Sequence, residues 1–120
     1  MISVLAVDDS ASIRQAVKIA LHPDCEVTGA TDGADALALA RERQFDLVIT
    51  DLNMPVMDGL TMIRELRKLP AYAGIPILFL TTEDSGEVKQ QAKAAGATGW
   101  LTKPFAADQL SRVVKKVLAR

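Results

Sequence analysis

The apolar stretches of this chain are short and fall at Ile2 to Val7, Glu26 to Ala30, Leu47 to Thr50, Ile75 to Thr81 and Gly99 to Leu101. The strongest of them are continuous rather than alternating, which marks strands covered on both faces. Between and after them, apolar residues recur at intervals of three and four. One set is Ile13, Ala16, Val17, Ala20 and Leu21; a second is Leu37, Ala38 and the aliphatic stem of Arg41. Leu60, Ile63 and Leu66 form a third, and Leu110, Val113, Val114 and Val117 the last. Such spacing puts each set on one face of a helix. A β-α unit repeated five times predicts a parallel sheet with helices on both sides, an α/β three-layer sandwich. Right-handed crossovers leave few topologies, of which the doubly wound, flavodoxin-like strand order 2-1-3-4-5 is expected.

Helix starts support this division. Ser10, Asp32, Asp58 and Asp84 each stand before a helical segment, where a side-chain oxygen can accept from free backbone N–H groups, and Glu87 completes a capping-box pattern with Asp84. The segment Asp84 to Ala95 offers only Val88, Ala92 and Ala95 to the interior, so it is expected to be the most mobile helix. With 120 residues and no repeat, linker or low-complexity stretch, one domain over residues 1–120 is expected.

Composition narrows the partners. The formal net charge is −1, so no global positive field exists for nucleic acid or an anionic membrane. Cys25 is the one cysteine, which excludes an intramolecular disulfide, and no Cys/His spacing indicates zinc. The apolar run at Met1 to Val7 lacks a basic leader and reads as a strand rather than a signal peptide. A cytoplasmic monomer is the expectation.

In an open sheet of this order, ligands bind beyond the carboxyl ends of the strands. There the sequence places Asp8 and Asp9 after strand 1, Asp51 after strand 3, Thr81 after strand 4 and Lys103 after strand 5. Strands 1 and 3 are neighbours, so three carboxylates converge against one ammonium, and like charges so close repel. A divalent cation resolves the conflict. Hard oxygen donors favour Mg2+, with Mn2+ able to substitute, and the backbone carbonyl of Asn53 is a further ligand within reach of Asp51. A carboxylate beside a cation, a lysine and a hydroxyl is equipped to attack a phosphoryl group: Asp51 as nucleophile, Lys103 neutralising oxygens and Thr81 donating to one of them.

The segments "VDDS", "TDLNMPVMDG", "LTTE" and "GWLTKPF", in order and at matching spacing along the whole chain, resemble the signatures of the response-regulator receiver domain. Within that family the likeness is to stand-alone chemotaxis regulators of the CheY type. The resemblance implies phosphorylation of Asp51 by a histidine kinase, Mg2+ held directly by Asp9 and through water by Asp8, and Lys103 paired with the phosphoryl group. It further implies a switch formed by Thr81 and the aromatic at position 100, a cis Lys103–Pro104 bond, and tuning of acyl-phosphate hydrolysis by Asn53 and Glu83. The expected output is altered affinity for a protein target such as the flagellar motor switch, docking an acidic or amphipathic segment beside strand 5, with a phosphatase as a further partner.

Three positions depart from the family pattern. Trp100 stands where Tyr, Phe or His is usual and needs more room to rotate inward; as a packing residue it reads equally well. Thr82 replaces a small residue, which narrows access to the site, and Ala106 replaces a common helix cap, which predicts a loose start to the last helix. Asp58 reads as a cap, Gly59 as a turn or close-packing residue, and His22 as a solvated helix end. Among competing functions, a relay intermediate or phosphate sink would use the same residues. A haloacid-dehalogenase-type phosphatase wants a second Asp where Asn53 stands, and a flavin protein wants a Ser/Thr/Gly-rich loop where Asp8 and Asp9 stand.

Overall fold

Each strand is followed by a helix in the structure, a computed structural model that describes residues 1–82 and 85–119. The order is β1 (Ile2–Val7), α1 (Ala11–Leu21), β2 (Cys25–Ala30), α2 (Gly33–Glu42), β3 (Leu47–Asp51), α3 (Gly59–Arg67), β4 (Ile77–Thr81), α4 (Gly86–Ala95), β5 (Gly99–Thr102) and α5 (Ala107–Leu118). All pairings are parallel, and the strand order is β2-β1-β3-β4-β5, as the sequence predicts. β4 starts later than expected, because Ile75 and Pro76 belong to the approach from a 3-10 turn at Pro70–Tyr72. No helix among the described residues is long and apolar enough to cross a membrane.

Alternation along the strands builds two cores. Val4, Ala6, Leu47, Ile49, Leu78 and Leu80 face Val17 and Leu21 of α1 and Leu110, Val114 and Val117 of α5. Leu5, Val7, Val48 and Ile77 face Ala36, Leu37 and Ala40 of α2 and Met62, Ile63 and Leu66 of α3. Each fully buried aliphatic side chain contributes about 1.5–3 kcal/mol, so the paired layers dominate stability. The face expected for α2 is corrected here: Ala38 and Arg41 are exposed, and Ala36 and Ala40 take their place one step around the helix. Leu37 alone fits either reading, and the small alanines let α2 lie close to the sheet.

Ser10, Asp32 and Asp58 cap their helices as expected, accepting from Ile13, Asp35 and Thr61 backbone N–H groups. The cap of α4 is Ser85, whose hydroxyl accepts from the Val88 N–H at 3.2 Å. Asp84, expected in that role with Glu87, lies outside the described residues. The start of α5 has no side-chain cap from Ala106, whose N–H instead donates to Gln109 Oε1 at 3.4 Å. α4 is held by small residues, with Ala92 and Ala95 buried and Ala92 packed on Leu52 and Phe79.

Two polar anchors were not legible in the apolar pattern. Tyr72 is 1% exposed, with its hydroxyl 2.9 Å from the Ala40 carbonyl and 2.7 Å from that of Arg43 while accepting the Phe45 N–H at 3.2 Å. This one oxygen joins the 3-10 turn to the connection between α2 and β3. Arg67 closes the other end: its guanidinium donates to the carbonyls of Gly96, Tyr72 and Ile75 at 2.6–3.0 Å. Gly96 sits at φ +116°, and a Cβ there would press into the Arg67 side chain, so the C-terminus of α4 needs glycine on both counts. Replacing Tyr72 by Phe leaves two buried backbone groups, the Ala40 carbonyl and the Phe45 N–H, without this partner, and a part-buried third at Arg43. Urea unfolding of Tyr72→Phe is expected to show a loss of about 1–3 kcal/mol.

Candidate functional site

β1 and β3 end side by side, Val7 pairing with Thr50, so the residues that follow them meet at the same edge. One carboxylate oxygen from each of Asp8, Asp9 and Asp51 lies within 4.8 Å of the others. Their surroundings differ. Asp8 is 2% exposed and fully engaged: Oδ2 accepts from Lys103 Nζ at 2.8 Å, Oδ1 from the Ser10 N–H at 2.9 Å, and its own N–H donates to the Ala30 carbonyl at 3.1 Å. Asp51 is 8% exposed; its Oδ1 accepts from the Leu52 N–H at 2.8 Å and its Oδ2 stands 3.4 Å from Lys103 Nζ. Asp9 is exposed and makes no hydrogen bond or ion pair with a described residue.

Burial pushes the Asp51 carboxyl above the ordinary carboxylate range, Lys103 opposes that, and the Asp8 charge adds to it. The ammonium of Lys103 therefore carries two carboxylates at once, and it sits nearer Asp8 than Asp51. Its backbone is fixed as well, since the Lys103 N–H donates to the Thr81 carbonyl at 2.8 Å and ties the ends of β4 and β5 together. The Lys103–Pro104 peptide is cis, as the resemblance implied, and so is His22–Pro23. Thr81 is buried at the end of β4, one residue beyond the partner of Asp51, which is Leu80.

The turn after Asp51 is built to approach the strand end closely. Gly59 donates its N–H to the Leu52 carbonyl at 2.9 Å, and a Cβ on Gly59 would collide with the Asp51 carbonyl. Asn53 is exposed on that turn, and Val56 holds φ +68°, uncommon for a β-branched residue. Gly33 is the counterpart from α2: its N–H donates to the Met57 carbonyl at 3.1 Å, and a Cβ would strike Met57.

Trp100 lies outward on β5, 46% exposed, with Lys89 Nζ 4.4 Å from its ring and the Phe79 ring 6.4 Å away. It is not gathered with the acids. Thr82 is exposed, and Glu83 lies outside the described residues. His22 is an exposed helix end.

The match to known proteins is specific. The model of the response regulator receiver domain fits residues 4–115. The chain belongs to the receiver domain family. A solved structure of the chemotaxis response regulator CheY4 of Vibrio cholerae superposes with a TM-score of 0.94 and 50% identity, covering 98% of both chains. Chemotaxis protein CheY-3 of Vibrio cholerae is 34% identical over 119 residues, 98% of this chain and 92% of the relative. The transcriptional regulatory protein TcrX of Mycobacterium tuberculosis is 33% identical over 120 residues, but that match takes in 50% of the relative. The receiver thus spans about half the length of some relatives and nearly the whole of others.

Receiver domains bind Mg2+ through acidic residues, and the donors here fit that ion: clustered hard carboxylate oxygens, those of Asp9 without a partner among the described residues. A residue absent from the sequence reading is Arg14, whose Nη1 donates to the Asp8 carbonyl at 2.6 Å. Its signal was a cation near the start of α1, where the helix dipole disfavours one.

Since the Asp51 carboxyl is raised, the folded receiver retains a proton that the unfolded chain releases, and stability falls as pH rises through and above the ordinary carboxylate range. In chelator-treated protein, Asp51→Asn is expected to melt higher than the parent at neutral pH. The difference should shrink on acidification below that range, which thermal melts across a pH series will show.

Proposed function

We propose that this receiver is a phosphorylation-controlled switch in which Asp51 accepts a phosphoryl group from a histidine kinase, in an Mg2+-assisted reaction that alters affinity for a protein target. The observation that carries this reading is the convergence of Asp8, Asp9, Asp51 and Lys103 from three strand ends onto one edge. In the transfer, an Asp51 carboxylate oxygen forms the new bond to phosphorus as the bond to the donor's leaving atom breaks, leaving an acyl phosphate. Asp9, Asp51 and the Asn53 carbonyl would hold the cation directly and Asp8 through water. When bound, the ion offsets the negative charge of the acids and the arriving phosphoryl oxygens.

The remaining roles belong to this chain's own groups. Lys103, already 3.4 Å from Asp51, needs only a small move from Asp8 to pair with a phosphoryl oxygen. Thr81 donates to another oxygen from the neighbouring strand, and Asn53 and Glu83 tune hydrolysis from the rim. Trp100 is the aromatic of the output face, beside Lys89 on α4 and lining one cavity with Val113 and Lys116 of α5, which suits an acidic or amphipathic segment. Likeness to CheY4 and CheY-3 favours a chemotaxis setting, in the cytoplasm, with motor control as the output and residues 1–120 acting as one receiver domain without self-association. The haloacid-dehalogenase alternative is disfavoured, because Asn53 cannot serve as an acid in place of Asp.

Incubation with acetyl phosphate and Mg2+ is expected to add the mass of one phosphoryl group, labile in base. Chelator should abolish the adduct, and so should Asp51→Asn. An undiminished adduct in that variant overturns the assignment of the acceptor.

A further inference from the structure

We propose that Arg14 is a positioning residue for the acidic pocket, acting through the peptide that joins Asp8 to Asp9. This rests on the metal-assisted reading above. Asp9 has no side-chain partner among the described residues, so what the protein fixes is the peptide from which its side chain projects. The carbonyl of the preceding peptide accepts from Arg14 Nη1 at 2.6 Å, a short charge-assisted bond in a part-buried position. The Asp8 N–H is bound to Ala30 and the Asp8 carboxylate to Ser10 and Lys103, so Arg14 supplies the remaining restraint on that residue.

The path of the Arg14 side chain is also specified. It crosses the edge strand β2 at Gly29, where an added Cβ would come within 3.1 Å of Arg14 Cδ. Glycine in the interior of a strand is unfavourable unless something needs the space. Here the arm of Arg14 occupies it.

Partners that orient metal-binding groups typically change affinity by about 10–100-fold when removed. The test titrates Mn2+ into the full chain and counts free ion by electron paramagnetic resonance. Arg14→Met keeps the stem over Gly29 and removes the donor; Arg14→Lys keeps both a stem and a donor. Arg14→Met is expected to weaken Mn2+ binding by about tenfold, while Arg14→Lys stays near the parent. A role in packing alone makes the two variants alike, and parent-like affinity in Arg14→Met, or equal loss in both, overturns the proposal. Gly29→Ala reaches the same clamp from outside, should weaken Mn2+ in the same direction, and decides the matter if Arg14→Met does not fold; unchanged affinity there sinks the idea. Asp9→Asn separates the two levels. If it binds Mn2+ as the parent does, the metal reading itself is wrong and this inference falls with it; if it loses binding, the failure of an Arg14 variant to do so condemns the Arg14 role alone.

Discussion

One ammonium stands against three carboxylates at the edge of the sheet, and much of the molecule's local design answers that imbalance. Lys103 touches Asp8 at 2.8 Å and Asp51 at 3.4 Å, and both acids are largely removed from water. Buried charge of one sign is costly unless paired, and pairing is incomplete here. Burial raises the Asp51 carboxyl, Lys103 draws it down, and the Asp8 charge adds to the rise. A pocket in this condition favours any cation that can enter, and Asp9, at the exposed side, is the group left able to meet one. On the proposed reading the same deficit makes the pocket selective: a phosphoryl group adds negative charge and is tolerated only with a divalent ion present.

The fold delivers these groups by means that have little to do with the acids themselves. Parallel order brings the ends of β1 and β3 together, and the two apolar cores hold the sheet rigid behind them. Gly59 lets the start of α3 rest on the backbone of Asp51, and the Thr81 carbonyl receives the Lys103 N–H across β4 and β5. Strand ends are therefore fixed relative to one another by backbone contacts. Side chains at such ends can be exchanged without loss of the frame, which is why the pocket can hold strained electrostatics while the hydrophobic layers supply the stability.

Much of this was legible in the sequence. Continuous Val, Ile and Leu runs gave the strands, caps at Ser10, Asp32 and Asp58 gave helix starts, and the topology then placed Asp8, Asp9, Asp51, Thr81 and Lys103 at one edge. What was missed has a common physical character. Tyr72, Arg67 and Arg14 act by binding backbone carbonyls outside their own helical segments, and neither periodicity nor charge counting reports which carbonyl a long side chain will reach. The face of α2 was misplaced for a related reason: Ala36, Ala38 and Ala40 are alike in composition, so helical spacing alone does not say which of them meets the sheet. Trp100 lay beyond sequence reading because its outward pose depends on Lys89 and Phe79, from two other elements.

Those same neighbours bear on how a change at Asp51 could be felt outside. Phe79 lies two residues before Thr81 on β4, pairs in register with Trp100, and packs with Leu52 and Ala92 beneath α4. A continuous set of contacts thus runs from the pocket to an exposed indole. Contiguity is only a route; transmission requires a second arrangement with different contacts. For Trp100, an inward arrangement gives up the Lys89 cation–π contact, which at an exposed site contributes about 0.5–1 kcal/mol, and must find room for two rings rather than one. The first cost is small beside the several charge-assisted bonds a phosphoryl group would make with Lys103 and Thr81, each roughly twice a neutral one. The second depends on α4 yielding space, and α4 is the helix seated on Ala92 and Ala95 and tied at its C-terminal end by Arg67. On the proposed reading, the substitution of Trp for a smaller aromatic shifts the limiting step of the switch from the rotation of a side chain to the displacement of that helix.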